Sequence, residues 1–216
     1  MNHCITAFWN YFKENSESIL SMRELDAAKR HIIMNELLSL IKNFHPGIGF
    51  KLNSRDHQGE LTITAYGNPY IFKSVDLLVK FAPKINKWKV IAFIQPAHDL
   101  EPYRTGTDKP FEYHTIVLRV SEMKYTVSPC ENNPLLVALN LYIPNLHVYG
   151  YSEYLTTPVN ILLEHLLGEK AFANEIHSVN ICQLTAEVEK ILQPVALYKL
   201  PEYLQAIRKL SACELN

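Results

Sequence analysis

The sequence predicts an α+β fold, in which a mixed, largely antiparallel sheet is flanked by helices and follows an N-terminal helical segment. Three observations lead to this prediction. Apolar residues recur at three- and four-residue steps in the first 44 residues and in several later segments, as in amphipathic helices. In other segments apolar and polar residues alternate, which is typical of strands. Strands and helices do not follow each other in the regular alternation of a parallel α/β sheet.

The N-terminal helical segment covers about residues 8–44. Its apolar residues at helical spacing are Ile33, Leu37, Leu40, Ile41 and Phe44. His45-Pro46-Gly47 ends the segment, because proline cannot continue a helix. Residues 15–21 are rich in Ser and Asn, which favour helix caps over helix interiors, so a break into two helices is predicted there.

Two half-buried strands are predicted next, at residues 48–52 and 61–65, because apolar side chains alternate with small or polar ones. The polar residues 53–59 between them predict a hairpin loop longer than a two-residue turn. Gly67-Asn68-Pro69 predicts a second turn, since glycine permits positive φ and proline cannot donate to a sheet ladder.

Residues 73–96 combine a short amphipathic helix with an apolar strand. Ser74 is the predicted N-cap of the helix, and Pro83 prevents its continuation. The strand, residues 88–94, is apolar on both faces, so we expect it in the middle of a sheet that is covered on both sides. Trp88 is then a packing residue.

The second half of the chain resumes with an irregular loop at residues 95–106, marked by three Pro and Gly residues. Strands are predicted at 111–120 and 123–127, with a turn between them, because both are rich in β-branched and aromatic residues. A further strand at 135–143 has one continuous apolar face and one face that is only partly apolar.

A helix then begins at Thr157, with Pro158 in its first turn, and ends at Gly168. Its predicted buried stripe is Val159, Leu162, Leu163, Leu166 and Leu167. The last predicted elements are a strand at 176–182, a short helix near 188–192 and a terminal helix at 201–210. We interpret residues 1–216 as a single domain, with its sheet and remaining helices between residues 48 and 210.

Composition and charge exclude several classes of protein. The chain has 216 residues, of which 48% are hydrophobic, enough to bury a sizeable core. Its 21 basic and 22 acidic residues are scattered, so we expect neither nucleic acid nor a membrane as partner. The N-terminus lacks the unbroken apolar core of a signal peptide, and residues 134–144 are too short to span a bilayer. We therefore expect a cytoplasmic protein.

The sequence also argues against a metal site or a cofactor. Its four cysteines, Cys4, Cys130, Cys182 and Cys213, are far apart, which favours reduced thiols over a disulfide framework or a zinc site. There is no phosphate-binding glycine loop and no nucleophile elbow, and the chain has only 7 glycines.

The best candidate site is the connection between the strand at 135–143 and the helix at Thr157. Its candidate ligand- or partner-binding residues are Tyr142, His147, Tyr149, Tyr151, Glu153 and Tyr154. Loops held by rigid elements are where binding residues concentrate, and tyrosine favours interfaces. The alternative is that these tyrosines only cover the core, with the ring inward and the hydroxyl in water.

Three functions remain open. The first hypothesis is a non-catalytic binding module that holds a protein partner or a small ligand. The second is a hydrolase with a Glu/His pair, either Glu153 with His147 or Glu169 with His165; the latter pair, at i and i+4 around a helix end, could also share a metal. The third is a homodimer that forms through a sheet edge or through the aromatic N-terminal helix. The aromatic residues of that helix are Phe8, Trp9, Tyr11 and Phe12.

Several short motifs carry a resemblance to a known group. They are Ala82-Pro83, Trp88, Ala92-Phe93 and Leu167-Gly168-Glu169. Over about half of its length, the chain resembles a family of uncharacterised bacterial proteins in which a helix ending in Ala-Pro precedes a Trp-containing strand. The resemblance implies a bacterial cytoplasmic domain of unknown function. Its motifs are structural, and it carries over no catalytic residue.

Overall fold

The computed structural model describes residues 3–130, 133–150 and 153–214. The chain forms two compact units, an N-terminal unit of residues 1–94 and a C-terminal unit of residues 95–216. About half of the chain is helical (50%) and the sheets are mixed or antiparallel, which confirms the α+β fold class. The single domain predicted from the sequence stays a prediction. None of the helices in the described part of the chain is both long and apolar enough to cross a membrane.

The N-terminal unit starts with three helices. They are α1 (His3–Glu14), α2 (Ser16–Leu20) and α3 (Ala27–Phe44). The break predicted at 15–21 is therefore occupied mainly by α2, and the longer interruption comes after it. Asp26 caps α3, since its carboxylate accepts a 2.8 Å hydrogen bond from the Lys29 N–H. Trp9 of α1 is buried and donates its indole N–H to the Leu78 carbonyl at 3.0 Å.

The sheet of this unit has three strands, which are β1 (Gly49–Arg55), β2 (Gln58–Thr64) and β3 (Trp88–Ala92). Their order in the sheet is β1-β2-β3. The β1–β2 pair is antiparallel and the β2–β3 pair is parallel. The prediction that residues 88–94 form a central strand is wrong, because β3 lies at the edge and β2 is central. Three of the apolar side chains of β3, Trp88, Val90 and Ala92, are half-buried and pack against the core of this unit.

The β1–β2 hairpin has a two-residue turn, so the longer predicted loop is also wrong. Asp56 and His57 form this turn with φ values of 50° and 59°. The polar residues before and after them continue the ladder, with Arg55 opposite Gln58. Two successive residues with positive φ match the twist of the flanking strands, which is why such tight turns are favoured. The polar character of residues 53–59 therefore did not indicate where β1 ends and β2 begins.

The helix between β2 and β3 is α4 (Phe72–Lys80), which is amphipathic as predicted. It begins two residues before the predicted N-cap, Ser74. A 3₁₀ turn, Pro69–Ile71, leads into it, and the Asn68 side chain caps that turn by accepting a hydrogen bond from the Tyr70 N–H. The helix ends before Pro83, as the sequence indicates.

Trp88 is a packing residue, as predicted. Its ring lies over Gly59, the residue opposite it in the ladder, so closely that a Cβ on Gly59 would be 2.5 Å from the nearest ring atom. The indole N–H donates to the Ser16 carbonyl at 3.1 Å, and the ring meets Phe12 edge to face at 4.9 Å. Trp88 thus joins β2 to α1 and the start of α2.

The C-terminal unit contains a separate hairpin and a four-stranded sheet. The hairpin strands are β4 (Phe111–Tyr113) and β5 (Ile116–Leu118); the sheet strands are β6 (Lys124–Cys130), β7 (Asn133–Ile143), β8 (Ile176–Gln183) and β9 (Val195–Ala196). The order in the sheet is β8-β7-β6-β9. The β7–β8 pair is parallel and the other pairs are antiparallel. The single strand predicted at 111–120 is wrong, because a turn with His114 at φ 54° splits it in two.

Five helices belong to the described part of this unit. They are α5 (Glu101–Thr105), α6 (Thr156–Leu167), α7 (Glu169–Glu175), α8 (Ala186–Leu192) and α9 (Leu200–Glu214). Helix α5 interrupts the loop predicted at 95–106; the Asp99 carboxylate accepts a hydrogen bond from the Glu101 N–H at its start. Helix α6 ends at Gly168, as predicted, where φ is 81°.

The two faces of the four-stranded sheet differ as the sequence indicates. On the apolar face of β7 Leu135, near the start of the strand, is 39% exposed, and the four side chains that follow are at most 2% exposed: Val137, Leu139, Leu141 and Ile143. The predicted leucine stripe of α6 is buried in the same core. On the other face, polar side chains form a hydrogen-bonded row across three strands. Asn180 of β8 donates to Asn140 of β7 at 3.0 Å, and Asn140 donates to Thr126 of β6 at 3.4 Å.

Candidate functional site

The Tyr-rich connection between β7 and α6 is held by two hydrogen bonds to other parts of the C-terminal unit. Its first residues form a 3₁₀ turn, Leu146–Tyr149, which starts after Asn145 in the left-handed conformation. The His147 N–H donates to the Gln183 side chain at the end of β8, at 3.1 Å. The Tyr149 hydroxyl donates to the Val117 carbonyl of β5 at 2.6 Å. These bonds fix the turn against two different strands.

The predicted site residues fall into different environments. Tyr142 lies on β7, is 6% exposed and has its hydroxyl 3.3 Å from that of Thr126. Tyr149 is partly buried and anchors the turn. His147 is exposed, and Tyr154 is 75% exposed. Tyr151 lies outside the described residues, as does the side chain of Glu153. The structure therefore leaves His147 and Tyr154 as accessible members of the set.

Sequence reasoning missed Val148, an apolar residue of the same turn that is 69% exposed. Its only sequence signal is an apolar side chain between two polar or aromatic ones in a short irregular segment. Side chains that are single and apolar occur on many surfaces, so the residue gains interest only from its place on a fixed turn.

Glu169 and His165 do not share a helix face. Helix α6 ends at Leu167, and Gly168 turns the chain before Glu169 begins α7. Glu169 is 0% exposed, whereas His165 is exposed. The i, i+4 rule therefore does not apply to this pair, because it holds only within one continuous helix. Within the described residues, no group of three or more His, Cys, Asp or Glu side chains could hold a metal ion.

Two shallow cavities share Arg23 and Ser54 in the N-terminal unit, between α2 with the following turn and the β1–β2 hairpin. Their volumes are about 340 Å³ and about 260 Å³. The larger is lined by charges of both signs, among them Glu17, Arg55 and Lys87. Such a mixed, open surface has none of the convergent apolar and polar groups that typify a ligand site. The sequence pattern gave no signal for it.

Asp108 is a polar residue buried within the C-terminal unit, at 5% exposure. One carboxylate oxygen accepts a 3.4 Å hydrogen bond from the Ser121 N–H, and the other has no hydrogen-bond partner among the described residues. The backbone carbonyl of Asp108 accepts from the Arg119 guanidinium at 3.1 Å. Burial, together with Asp108 and Asp99, raises the pKa of Tyr103. These contacts connect α5 to the segment before β6, which is a structural role.

Glu175 at the end of α7 supplies a pH-dependent prediction. Burial raises the pKa of its carboxyl, and Arg208, whose guanidinium lies 3.4 Å from one carboxylate oxygen, opposes this only in part. A raised pKa favours folding at low pH, and this contribution is lost as pH rises through the folded-state pKa. We expect Glu175→Gln to be more stable than the wild type near pH ~7 and to lose this advantage below pH ~4. Urea unfolding at both pH values measures the difference.

Glu112, which is exposed on β4, provides the control. The Glu112→Gln variant removes the same charge from a solvated position, so its stability relative to the wild type should change little with pH. A Glu175→Gln variant that is less stable than the wild type at neutral pH would show that the ion pair with Arg208 outweighs the cost of burial.

Comparisons with protein-family models, curated proteins and solved structures give no match for this chain.

Proposed function

We propose that this protein is a non-catalytic binding module that holds a partner protein through two 3₁₀ turns of the connection between β7 and α6, Leu146–Tyr149 and Glu153–Leu155. The observation that carries the proposal is a fixed turn with an outward apolar side chain, followed by an exposed tyrosine. Val148 is 69% exposed, and hydrogen bonds from its neighbours His147 and Tyr149 hold the turn on which it lies. Tyr154, on the following 3₁₀ turn, is 75% exposed.

The physical argument rests on the entropy cost of binding. A mobile loop loses conformational freedom when it binds, and this loss reduces affinity. A turn whose backbone is already fixed at His147 and Tyr149 avoids much of that cost. Tyrosine adds a large contact area with a polar hydroxyl, which is why it is enriched at interfaces.

A protein surface suits these side chains better than a small ligand, because Val148 and Tyr154 project outward and a broad surface covers both. The near-zero net charge of −1 favours a partner other than nucleic acid or an anionic membrane, and a cytoplasmic location is part of the proposal.

The test is a quantitative pull-down with the full chain, using wild-type protein and the double variant Val148→Asp, Tyr154→Ala. We expect partners that co-purify with the wild type to be lost from the double variant, because alanine and aspartate remove the contact area. Tyr149→Phe should weaken the same interactions to a smaller degree, since it only releases the turn from Val117.

Tyr70→Ala is the matched control, because Tyr70 is also exposed, at 93%, but lies in the N-terminal unit. It should retain every wild-type partner. If the double variant retains all of them as well, while thermal unfolding shows that it is folded, the two 3₁₀ turns are not the interface and the proposal is wrong.

A further inference from the structure

The sheet edge formed by β8 differs from the other edges of the two larger sheets. On β1 the edge carries Lys51 and Arg55, and on β3 it carries Lys89. At the opposite edge from β8, β9 is only two residues long and is preceded by Pro194, and the part of β6 that β9 does not pair with contains Pro129. Charged residues and prolines at an edge discourage pairing with another chain. Strand β8, with the sequence IHSVNICQ, has neither a proline nor an Asp, Glu, Lys or Arg residue.

The backbone of β8 is available for pairing. Strand β8 pairs with β7 on one side only, and on the other side its N–H and C=O groups have no backbone partner among the described residues. A register shift opposite Val137 and Ala138 makes His177 a bulge, which interrupts the ladder near its start. From Ser178 to Gln183 the register with β7 is regular.

The side chains of β8 are only partly covered on both faces of the sheet. On the apolar face, Val179 and Ile181 pack against the core but are only partly buried. On the polar face, the amide row from Thr126 through Asn140 ends at Asn180, which is exposed. The Asn180 side-chain NH₂ donates to Asn140.

We propose that β8 pairs with β8 of a second copy of this chain, antiparallel and centred on Asn180. In this register Asn180 faces its own counterpart, which continues the amide row across the dimer axis. Val179 of each copy faces Ile181 of the other, and Ser178 faces Cys182. The apolar face of one sheet therefore continues into the apolar face of the other, and the polar face continues into the polar face. Because the strand is uncharged, no like charges oppose each other.

The pairing joins two four-stranded sheets into one continuous sheet. A second copy fits this edge better than an extended segment of another protein, because the two-fold register satisfies the polar and the apolar face at once with the residues already present. Strands that pair in this way gain main-chain hydrogen bonds along the edge and specificity from alternate side chains.

Light scattering on the full chain over a concentration series tests the pairing. We expect the wild type to approach twice the chain mass of 24.9 kDa as concentration rises. Asn180→Lys and Asn180→Glu should each remain at the single-chain mass, because like charges then face each other across the axis. A mixture of the two variants should return to twice the single-chain mass, since the new lysine of one copy meets the new glutamate of the other only if position 180 faces itself.

Asn53→Lys is the control, because it places the same new charge on the β1 edge of the other sheet. It should not change the mass relative to the wild type. A wild type that stays monomeric overturns the proposal, as does a dimer that persists in both position-180 variants or a mixture that fails to reassociate. Circular dichroism establishes that each variant is folded, and the mixture distinguishes lost pairing from lost folding, because a misfolded chain is not rescued by its partner.

Discussion

Trp88→Ala is expected to lower the free energy of unfolding by about 3 kcal/mol, at the lower end of the range for removing a buried tryptophan because the side chain is only partly buried. The loss combines three contacts: the edge-to-face packing on Phe12, the hydrogen bond to the Ser16 carbonyl and the cover over Gly59. Urea unfolding can be followed by the fluorescence of Trp9, the other tryptophan of the chain, which lies in the same unit.

Tyr70→Ala is the control for this measurement, since it removes a large aromatic ring that is 93% exposed. Its effect should stay within about 0.5 kcal/mol. A Trp88→Ala variant as stable as Tyr70→Ala would mean that the three contacts of Trp88 do not contribute to the stability of the N-terminal unit.

Gly59→Ala is expected to lower the free energy of unfolding by about 1–3 kcal/mol, although alanine is normally preferred to glycine within a strand. The added Cβ would lie 2.5–2.7 Å from three atoms of the Trp88 ring. That ring cannot easily move, because its indole N–H is bonded to the Ser16 carbonyl and Phe12 packs against it.

Gly49→Ala provides a matched control on β1. Its Cβ would meet the end of the Tyr66 side chain at 2.0 Å, but Tyr66 is 64% exposed and its ring can turn into solvent. We expect a cost below about 1 kcal/mol for this variant. In the Trp88→Ala background, Gly59→Ala should cost nothing, since the obstructing ring is gone. A cost that persists there would locate the effect in the strand backbone and contradict the proposed contact.

The sequence predicted those elements whose local pattern agrees with their tertiary environment. The leucine stripe of α6 and its end at Gly168 are correct, because helical spacing and a glycine stop are both local properties. The prediction that β7 has one apolar face and one only partly apolar face is also correct, since successive side chains of a strand point to opposite faces. The role of Trp88 in packing follows from its apolar neighbours in the same way.

The errors share a different physical origin. Strand β3 is apolar on both faces, yet it lies at the edge of its sheet, because apolar faces reflect what packs above and below a strand and not how many strands pair with it. Residues 53–55 are polar and still pair in the β1–β2 hairpin, since a hydrogen-bonded ladder depends on backbone conformation. Composition does not report either condition.

The candidate site was only partly accessible to sequence reasoning. The position of the loop between β7 and α6 follows from the order of elements, and tyrosines were a visible signal. That Tyr149 anchors the turn on Val117, whereas Val148 and Tyr154 face outward, depends on a contact between residues 32 positions apart. No spacing rule within the loop encodes such a contact.

The sequence by itself determined the α+β class, the amphipathic helices and the faces of β7, because periodicity and stop signals act over a few neighbouring residues. Only the tertiary structure decided the strand order and the edge positions of β3 and β8. It also decided which loop tyrosine is an anchor and which is exposed. These properties depend on contacts between segments that are distant in sequence. Such contacts are decided by the packing of the whole chain, so no local pattern reveals them.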